Sequence, residues 1–124
     1  MPSLKQRWGA IRETLAEEAL TQQGYEVIER NWRCAGGEID RIAWKDRVLC
    51  FIEVRARSTA AFGPPSITIS RKKQRKLVQV ASAYLSKFTG TKKPMARFDV
   101  VSIVDPGGGE PSMAVIENAF DGDP

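Results

Sequence analysis

The order of helix-type and strand-type patterns along the chain leaves few folds open. Apolar residues recur every three or four positions over residues 4–23, and a second helical pattern covers residues 71–88 behind the capping residue Ser70. Five strand-type runs fill the rest, with three between the two helices and two after them. Because this order is α-β-β-β-α-β-β, we expect an α/β protein with a central mixed β-sheet flanked by helices.

Turn signals divide these elements. Gly24 is predicted to end the first helix, and Lys45-Asp46 to join two strands in an antiparallel hairpin. Residues 56–70, which contain "FGPP", predict a long functional loop, and residues 105–111 a flexible glycine-rich turn. The 124 residues fit a single domain over 1–124. The predicted strands are Tyr25 to about Arg33, "EIDRIAW", "RVLCFIEV", "ARFDVVSIV" and "SMAVIE". The apolar stripe of the first helix is predicted to be Leu4, Trp8, Ile11, Leu15 and Ala19. That of the second helix is Leu77, Val80, Ala81, Tyr84, Leu85 and Phe88.

Composition excludes several kinds of chemistry. The chain has no histidine, which rules out Ser-His-Asp and Cys-His catalysis and histidine metal ligands. Its two cysteines form no zinc spacing and no disulfide framework. No apolar stretch is long enough for a membrane span, and the N-terminus lacks a secretory signal, so we expect a soluble cytoplasmic protein with no membrane partner.

Charge is unevenly distributed along the chain. Eleven Lys and Arg residues and no acids lie between Val54 and Phe98, so all fifteen acids lie outside that block. Such a block suits a polyanion, with nucleic acid as the first candidate. The alternative is a helix face that lysines keep solvated.

Two acids on neighbouring predicted strands suggest a metal site. Strand alternation places Glu38 and Asp40 on one face, opposite Ile39, Arg41 and Ala43, while Glu53 shares a face with Arg55. If the two strands pair as a hairpin, Asp40 and Glu53 come together, and a hard divalent cation would relieve their repulsion. Such an ion can activate water for phosphodiester cleavage without histidine. Alternatively, both acids are strand-edge charges paired with Arg41 or Arg55.

Two further polar residues fit such a site. Glu13 lies on the first helix on a ridge with Gly9, Ala16 and Leu20, from which a carboxylate can reach over the sheet edge; an ordinary, partly exposed glutamate is the alternative. Gln74 falls on the buried stripe of the second helix, in its first turn, where it can touch phosphate or a site water. Capping of the preceding loop is the alternative role for Gln74.

The sequence resembles the YraN family of small bacterial proteins, which are described as endonuclease-like. The resemblance rests on "NWR-x-x-x-GEID" and "F-x-EVR-x-R", supported by "FGPP", "KKQRKL" and "RFDVV", and it covers nearly the whole chain from about Gly9 to "ENAF". It implies the restriction-endonuclease-like fold, similar to archaeal Holliday-junction resolvases, with a PD-(D/E)xK site.

By this resemblance, Asp40 and Glu53 are metal ligands for Mg²⁺ or Mn²⁺ together with the backbone carbonyl of Val54. Glu13 is the helix carboxylate, and Gln74 is the polar residue of the following helix. Arg55 replaces the lysine of the E-x-K element. Because arginine stays protonated, Arg55 cannot accept a proton, but its planar fork can hold the scissile phosphate.

We therefore expect a metal-dependent nuclease acting on DNA, with branched or damaged DNA as candidate substrates. A non-cleaving nucleic-acid-binding protein that keeps the nuclease fold is the alternative, and an interaction protein without a nucleic-acid role is a third reading. By analogy with junction resolvases, the protein is expected to form a homodimer. The predicted nucleic-acid contacts are Arg57, Lys72, Lys73, Arg75 and Lys76, with Lys92 and Lys93 extending the cationic surface.

Overall fold

A five-stranded mixed sheet forms the centre of the structure, and two helices flank it. The computed structural model describes residues 3–57, 69–88, 90, 92–105 and 109–122. Most of the predicted long loop, at 58–68, and the middle of the predicted glycine-rich turn, at 106–108, lie outside the described residues. The elements are α1 (Leu4–Gln22), β1 (Glu26–Cys34), β2 (Gly37–Lys45), β3 (Val48–Arg57), α2 (Arg71–Leu85), β4 (Ala96–Val104) and β5 (Ser112–Phe120).

The strands lie in the order β1-β2-β3-β4-β5. Neighbouring strands are antiparallel except for β3 and β4, which are parallel and are connected through α2. A parallel pair needs such a long crossover, and a helix is its usual form. The predicted order α-β-β-β-α-β-β and the mixed sheet are therefore confirmed.

Each face of the sheet is covered by one apolar cluster. Leu77, Val80 and Tyr84 of α2 pack with Phe51 and Phe98 of the sheet on one side. On the other side, a second cluster joins α1 to the opposite faces of β2, β3 and β4; its helix residues are Ala16 and Leu20. This α/β arrangement is the restriction-endonuclease-like fold that the resemblance implies. Neither described helix combines the length and apolar content that crossing a membrane requires.

The face that α1 turns toward the sheet differs from the predicted stripe. Ala16, Ala19 and Leu20 are buried, whereas Ile11, which the helical period assigns to the stripe, is 50% exposed. The ridge that contains Ala16 and Leu20 therefore meets the sheet. Glu13 lies on this ridge, one turn before Ala16. Small side chains at positions 16 and 19 let the helix approach the strands closely, which apolar periodicity alone does not reveal.

Element boundaries move by a few residues where tertiary contacts decide them. The hairpin turn between β2 and β3 is Asp46-Arg47, one residue later than predicted, and both residues have positive φ, as a two-residue type I′ turn requires. Helix α2 ends at Leu85 instead of residue 88, although Phe88 still packs against the α2-side cluster. Gly24 follows α1 with φ of 88°, which confirms it as the stop.

Candidate active site at the fork of β2 and β3

Asp40 and Glu53 lie where β2 and β3 separate. The two strands pair from Lys45–Val48 to Arg41–Ile52, and no pairing follows at the next position, which would join Asp40 to Glu53. Past this point β2 continues to pair with β1, and β3 with β4. The strands therefore form a fork with one carboxylate on each arm.

Short hydrogen bonds hold Asp40 in place. Its Oδ2 accepts from the backbone N–H of Val54 at 2.8 Å. Its own carbonyl accepts from Nη1 of Arg41 at 2.7 Å. The Arg41 side chain is buried and is itself held by Glu17 of α1, at 3.0 Å. The Asp40 carboxylate and backbone are thus fixed from both β3 and α1, which is what an oriented metal ligand needs.

Strand alternation fails at Asp40. Ile39 joins the cluster on the α2 side, whereas Arg41 contacts Glu17 on the α1 side, so the prediction that Ile39 and Arg41 share a face is wrong. Opposite Asp40 in β1 lies Asn31, which has a positive φ of 50°. A residue in the left-handed region interrupts the regular pleat of β1 at this point.

Glu53 is a largely buried acid with an incomplete set of partners. Its side chain is 14% exposed. Its Oε2 is buried and has no hydrogen-bond partner among the described residues, and Nζ of Lys73 lies 3.5 Å away, at ion-pair distance. Burial, together with the hydrogen bond and negative charge of Asp40, raises the pKa of Glu53 to about 7, and Lys73 opposes this shift only in part.

This geometry fits a hard divalent cation. Two neighbouring carboxylates repel one another, and a cation between them would offset this repulsion and the missing hydrogen bond of the buried oxygen. In the part of the chain that the structure describes, no three acidic or cysteine side chains converge to hold an ion by themselves. Mg²⁺ is commonly bound by one or two carboxylates, with water and substrate phosphate completing six ligands. The fork therefore fits Mg²⁺ or Mn²⁺ as an open site.

The backbone of Val54 faces Asp40. In a strand, the N–H and C=O of one residue point toward the same neighbouring strand. Because the N–H of Val54 bonds Asp40, its carbonyl also lies on the side of Asp40. The predicted backbone ligand is compatible with this orientation and stays a prediction.

Three cationic residues line the cleft beside Glu53. A cleft of about 390 Å³ is lined by Arg12 of α1, Lys73 of α2, and the β3 residues Glu53 and Arg55. Arg55 is exposed, and within the described residues no ion pair joins Glu53 to Arg55 or Asp40 to Arg41. The alternative that the two acids are ordinary strand-edge partners of those arginines therefore has no support in the ion pairs.

Comparison with known proteins places the chain in a family. Residues 12–103 match the model described as "Uncharacterised protein family UPF0102". The chain belongs to this family. It is 42% identical to a UPF0102 protein of Desulfosudis oleivorans, over 98% of this chain and 95% of that protein. It is also 42% identical to a UPF0102 protein of Myxococcus xanthus, over 86% and 83% of the two chains.

The UPF0102 match, which is the YraN family of the sequence resemblance, covers the whole fork. Asp40, Glu53, Arg55 and Lys73 all lie within residues 12–103. A UPF0102 protein of Hahella chejuensis is 45% identical over 75% of this chain and 74% of its own length. These relatives establish the family.

Glu13 lies apart from the carboxylate pair in this UPF0102 chain. It is half-buried and lines a groove of about 750 Å³ along α1, together with Glu17 and Arg41. That groove is larger than the Glu53 cleft, but the paired carboxylates and three cations place the candidate chemistry at the cleft. Within the described residues, the helix acid that reaches the fork is Glu17, through Arg41. The role predicted for Glu13 at the metal stays a prediction.

Gln74 caps the chain before α2. Its Nε2 donates to the carbonyl of Ile69 at 2.8 Å, which is the capping role weighed as the alternative. It lines a different hollow, of about 460 Å³, with Arg71, Arg75 and Asp121. The catalytic role predicted for Gln74 has no support in this geometry.

The predicted nucleic-acid contacts separate into two groups. Lys73 enters the Glu53 cleft, which its position in a run of cations did not reveal. Arg57 is half-buried at the end of β3. The remaining predicted cations are exposed: Lys72, Arg75 and Lys76 on α2, and Lys92 and Lys93 before β4.

Sequence reasoning missed three residues of the site. Arg12 lines the cleft, Arg41 holds the backbone of Asp40, and Glu17 anchors Arg41. An arginine amid the apolar residues of β2 was a signal for Arg41. No signal in the sequence distinguishes Arg12 or Glu17 from other charges on α1, because their positions depend on how that helix docks.

Proposed function

We propose that this UPF0102 protein is a divalent-metal-dependent nuclease that acts on DNA, with branched or damaged DNA as its preferred substrate. The observation that supports this function best is the fork. Asp40, whose carboxylate is held by the Val54 N–H, meets Glu53 there, and among the described residues a buried oxygen of Glu53 has no hydrogen-bond donor. A cleft with three cations opens beside it, where a phosphate can lie.

Each residue has a definite task in this proposal. Asp40, Glu53 and the carbonyl of Val54 would hold Mg²⁺ or Mn²⁺, which when bound supplies an activated water and polarises the phosphate. The Val54 N–H and Arg41 keep Asp40 oriented. Arg12 and Arg55 contact the scissile phosphate and stabilise the charge that develops on it. Because an arginine stays protonated, neither of them removes the proton from water.

The exposed cations of α2 position the nucleic acid around this site. Lys72, Arg75 and Lys76 contact the phosphate backbone in this proposal, and such contacts carry no sequence information. Recognition of DNA shape instead of sequence is consistent with a preference for branched substrates.

A non-cleaving nucleic-acid-binding protein is the second candidate function. Arg55 favours it, because the position that holds lysine in the E-x-K element cannot accept a proton here. The two candidates share the cationic surface and differ in whether the carboxylate pair has a chemical task.

Incubation with branched, flapped, single-stranded and double-stranded DNA in Mg²⁺ or Mn²⁺ tests the proposal. We expect cleavage by the wild type and a loss of roughly 100- to 1000-fold in Asp40→Asn and in Glu53→Gln, because each removes a ligand charge. Asp46→Asn is the matched control, since Asp46 is an exposed acid in the hairpin turn whose positive φ suits asparagine.

Cleavage that persists in both variants would identify a contaminant and refute the site. If no DNA is cut but all variants bind it with affinity that falls steeply as salt rises, the second candidate replaces the first. Binding that is independent of salt would exclude a phosphate-contacting surface for both.

A further inference from the structure

The ammonium of Lys73 lies next to the oxygen of Glu53 that lacks a hydrogen bond. Nζ is 3.5 Å from the buried Oε2 of Glu53, the oxygen that has no hydrogen-bond partner among the described residues. The Lys73 side chain is 42% exposed, so it reaches Glu53 from the solvent side of the cleft. It therefore lies between the carboxylate pair and the place where a phosphate would enter.

The backbone of Lys73 is fixed while its side chain can swing. Its N–H donates to Oγ of Ser70, the cap of α2, at 3.2 Å. A flexible stem of four carbons separates this anchored backbone from Nζ, so the ammonium can move several ångströms without any movement of the helix. Neither of the other cations in the cleft, Arg12 and Arg55, forms an ion pair with Glu53 in the described part of the chain.

A divalent ion and this ammonium compete for the same oxygen. Both are cations, and at this range like charges repel by an amount that matters even in water. A metal bound by Asp40 and Glu53 would displace Nζ outward, into the cleft that Arg12 and Arg55 also line. The displaced ammonium would then face the phosphate of a bound substrate.

We propose that Lys73 is the counter-cation of the carboxylate pair and exchanges partners during function. Without metal its ammonium neutralises Glu53, and with metal present it contacts the scissile phosphate in place of the lysine that the E-x-K element lacks. The second half of this inference rests on the proposed nuclease function. The first half concerns the protein and the metal alone.

Mn²⁺ binding and DNA cleavage by Lys73→Met test the exchange, with Lys72→Met, on the exposed side of the same helix, as the matched control for metal binding. Binding is measured without DNA by electron paramagnetic resonance or calorimetry, at pH 8.5. We expect Lys73→Met to bind Mn²⁺ about threefold tighter or better, because the competing charge is gone. We also expect it to cleave about 100-fold more slowly, because a cation at the phosphate is lost.

A purely structural role for Lys73 would not make the variant bind metal more tightly and cleave DNA more slowly at the same time. Lys72→Met should leave the Mn²⁺ affinity within about twofold of wild type. Lys73→Gln serves as a second variant of similar length if the methionine variant is poorly folded.

Unchanged Mn²⁺ affinity in Lys73→Met overturns the exchange, whether or not the protein cuts DNA. If the wild type cuts no DNA, the proposed nuclease function fails, and the Mn²⁺ comparison still decides whether Lys73 neutralises the pair. If neither protein binds Mn²⁺, both proposals fail. Normal cleavage with tighter metal binding overturns the phosphate contact alone.

Discussion

Two buried acids on neighbouring strands, Asp99 in β4 and Glu53 in β3, have opposite environments. Asp99 is 1% exposed and accepts hydrogen bonds from Tyr25 at 2.6 Å, from Arg97 at 3.0 Å and from the N–H of Asn118 at 2.9 Å. Glu53 has a buried oxygen with no hydrogen-bond partner among the described residues, and it faces a second carboxylate. The protein supplies hydrogen-bond donors to both oxygens of Asp99. Among the described residues, Oε2 of Glu53 has only the Lys73 ammonium, at ion-pair distance.

The difference distinguishes an acid that stabilises the fold, Asp99, from one that is available for binding, Glu53. Asp99 joins the loop after α1, through Tyr25, to the irregular end of β5, where Asn118 has a positive φ of 52°. It thereby holds three parts of the fold together and has no oxygen free for a ligand. A folded protein tolerates an unsatisfied acid such as Glu53 where binding completes it, and that pattern is typical of active sites.

Replacement of Asp99 should have the largest effect on stability. We expect Asp99→Ala to lower the free energy of unfolding by about 3 kcal/mol, because it leaves Arg97 and the Asn118 N–H without their buried acceptor. Urea unfolding followed by circular dichroism measures this. The control is Asp121→Ala, an exposed acid just after β5, for which the change should stay within about 0.5 kcal/mol. A cost below 1 kcal/mol for Asp99→Ala would contradict its structural role.

Removal of one donor to Asp99 should have an intermediate effect. Burial, the hydrogen bond to Asp99 and the charge of Asp99 together raise the pKa of Tyr25, so its hydroxyl remains a donor at every working pH. We expect Tyr25→Phe to cost about 2 kcal/mol of stability, the range for a hydrogen bond to a charged group. Thermal unfolding measures this. A neutral outcome would mean that Arg97 and Asn118 are sufficient partners for the carboxylate.

Replacement of Glu53, unlike that of Asp99, should stabilise the protein, and the gain in stability should depend on pH. Its folded pKa of about 7 lies above its ordinary value of 4.5, so the unfolded chain holds fewer protons between these values. Stability contributed by the protonated acid is therefore complete below about 4.5 and is lost as pH rises through about 7. We expect Glu53→Gln to stabilise the protein by about 1 kcal/mol at pH 8, after allowance for solvent in the cleft.

The gain should become small at pH 5, and thermal unfolding at the two pH values measures it. Asp46→Asn, which changes an exposed acid, should show no such pH dependence. If Glu53→Gln is destabilising at pH 8, the carboxylate is better satisfied than the structure indicates, and the contrast with Asp99 disappears.

The sequence by itself determined the elements and the acids of the site. Periodicity, the Ser70 cap and the Gly24 stop predicted both helices, and strand patterns predicted the hairpin that brings Asp40 beside Glu53. These features depend on neighbours along the chain, so local patterns contain them. The family resemblance, confirmed as UPF0102, added the fold.

Only the tertiary structure decided which other side chains meet those acids. The approach of Lys73 to Glu53, the presence of Arg12 in the cleft and the support of Asp40 by Arg41 all depend on how two helices dock on the sheet. The position of Gln74 on the helix predicts a site role, and only the structure shows that its amide donates to the Ile69 carbonyl. Helix docking is set by long-range packing of apolar surfaces, and periodicity along one helix does not specify which charges that packing brings together.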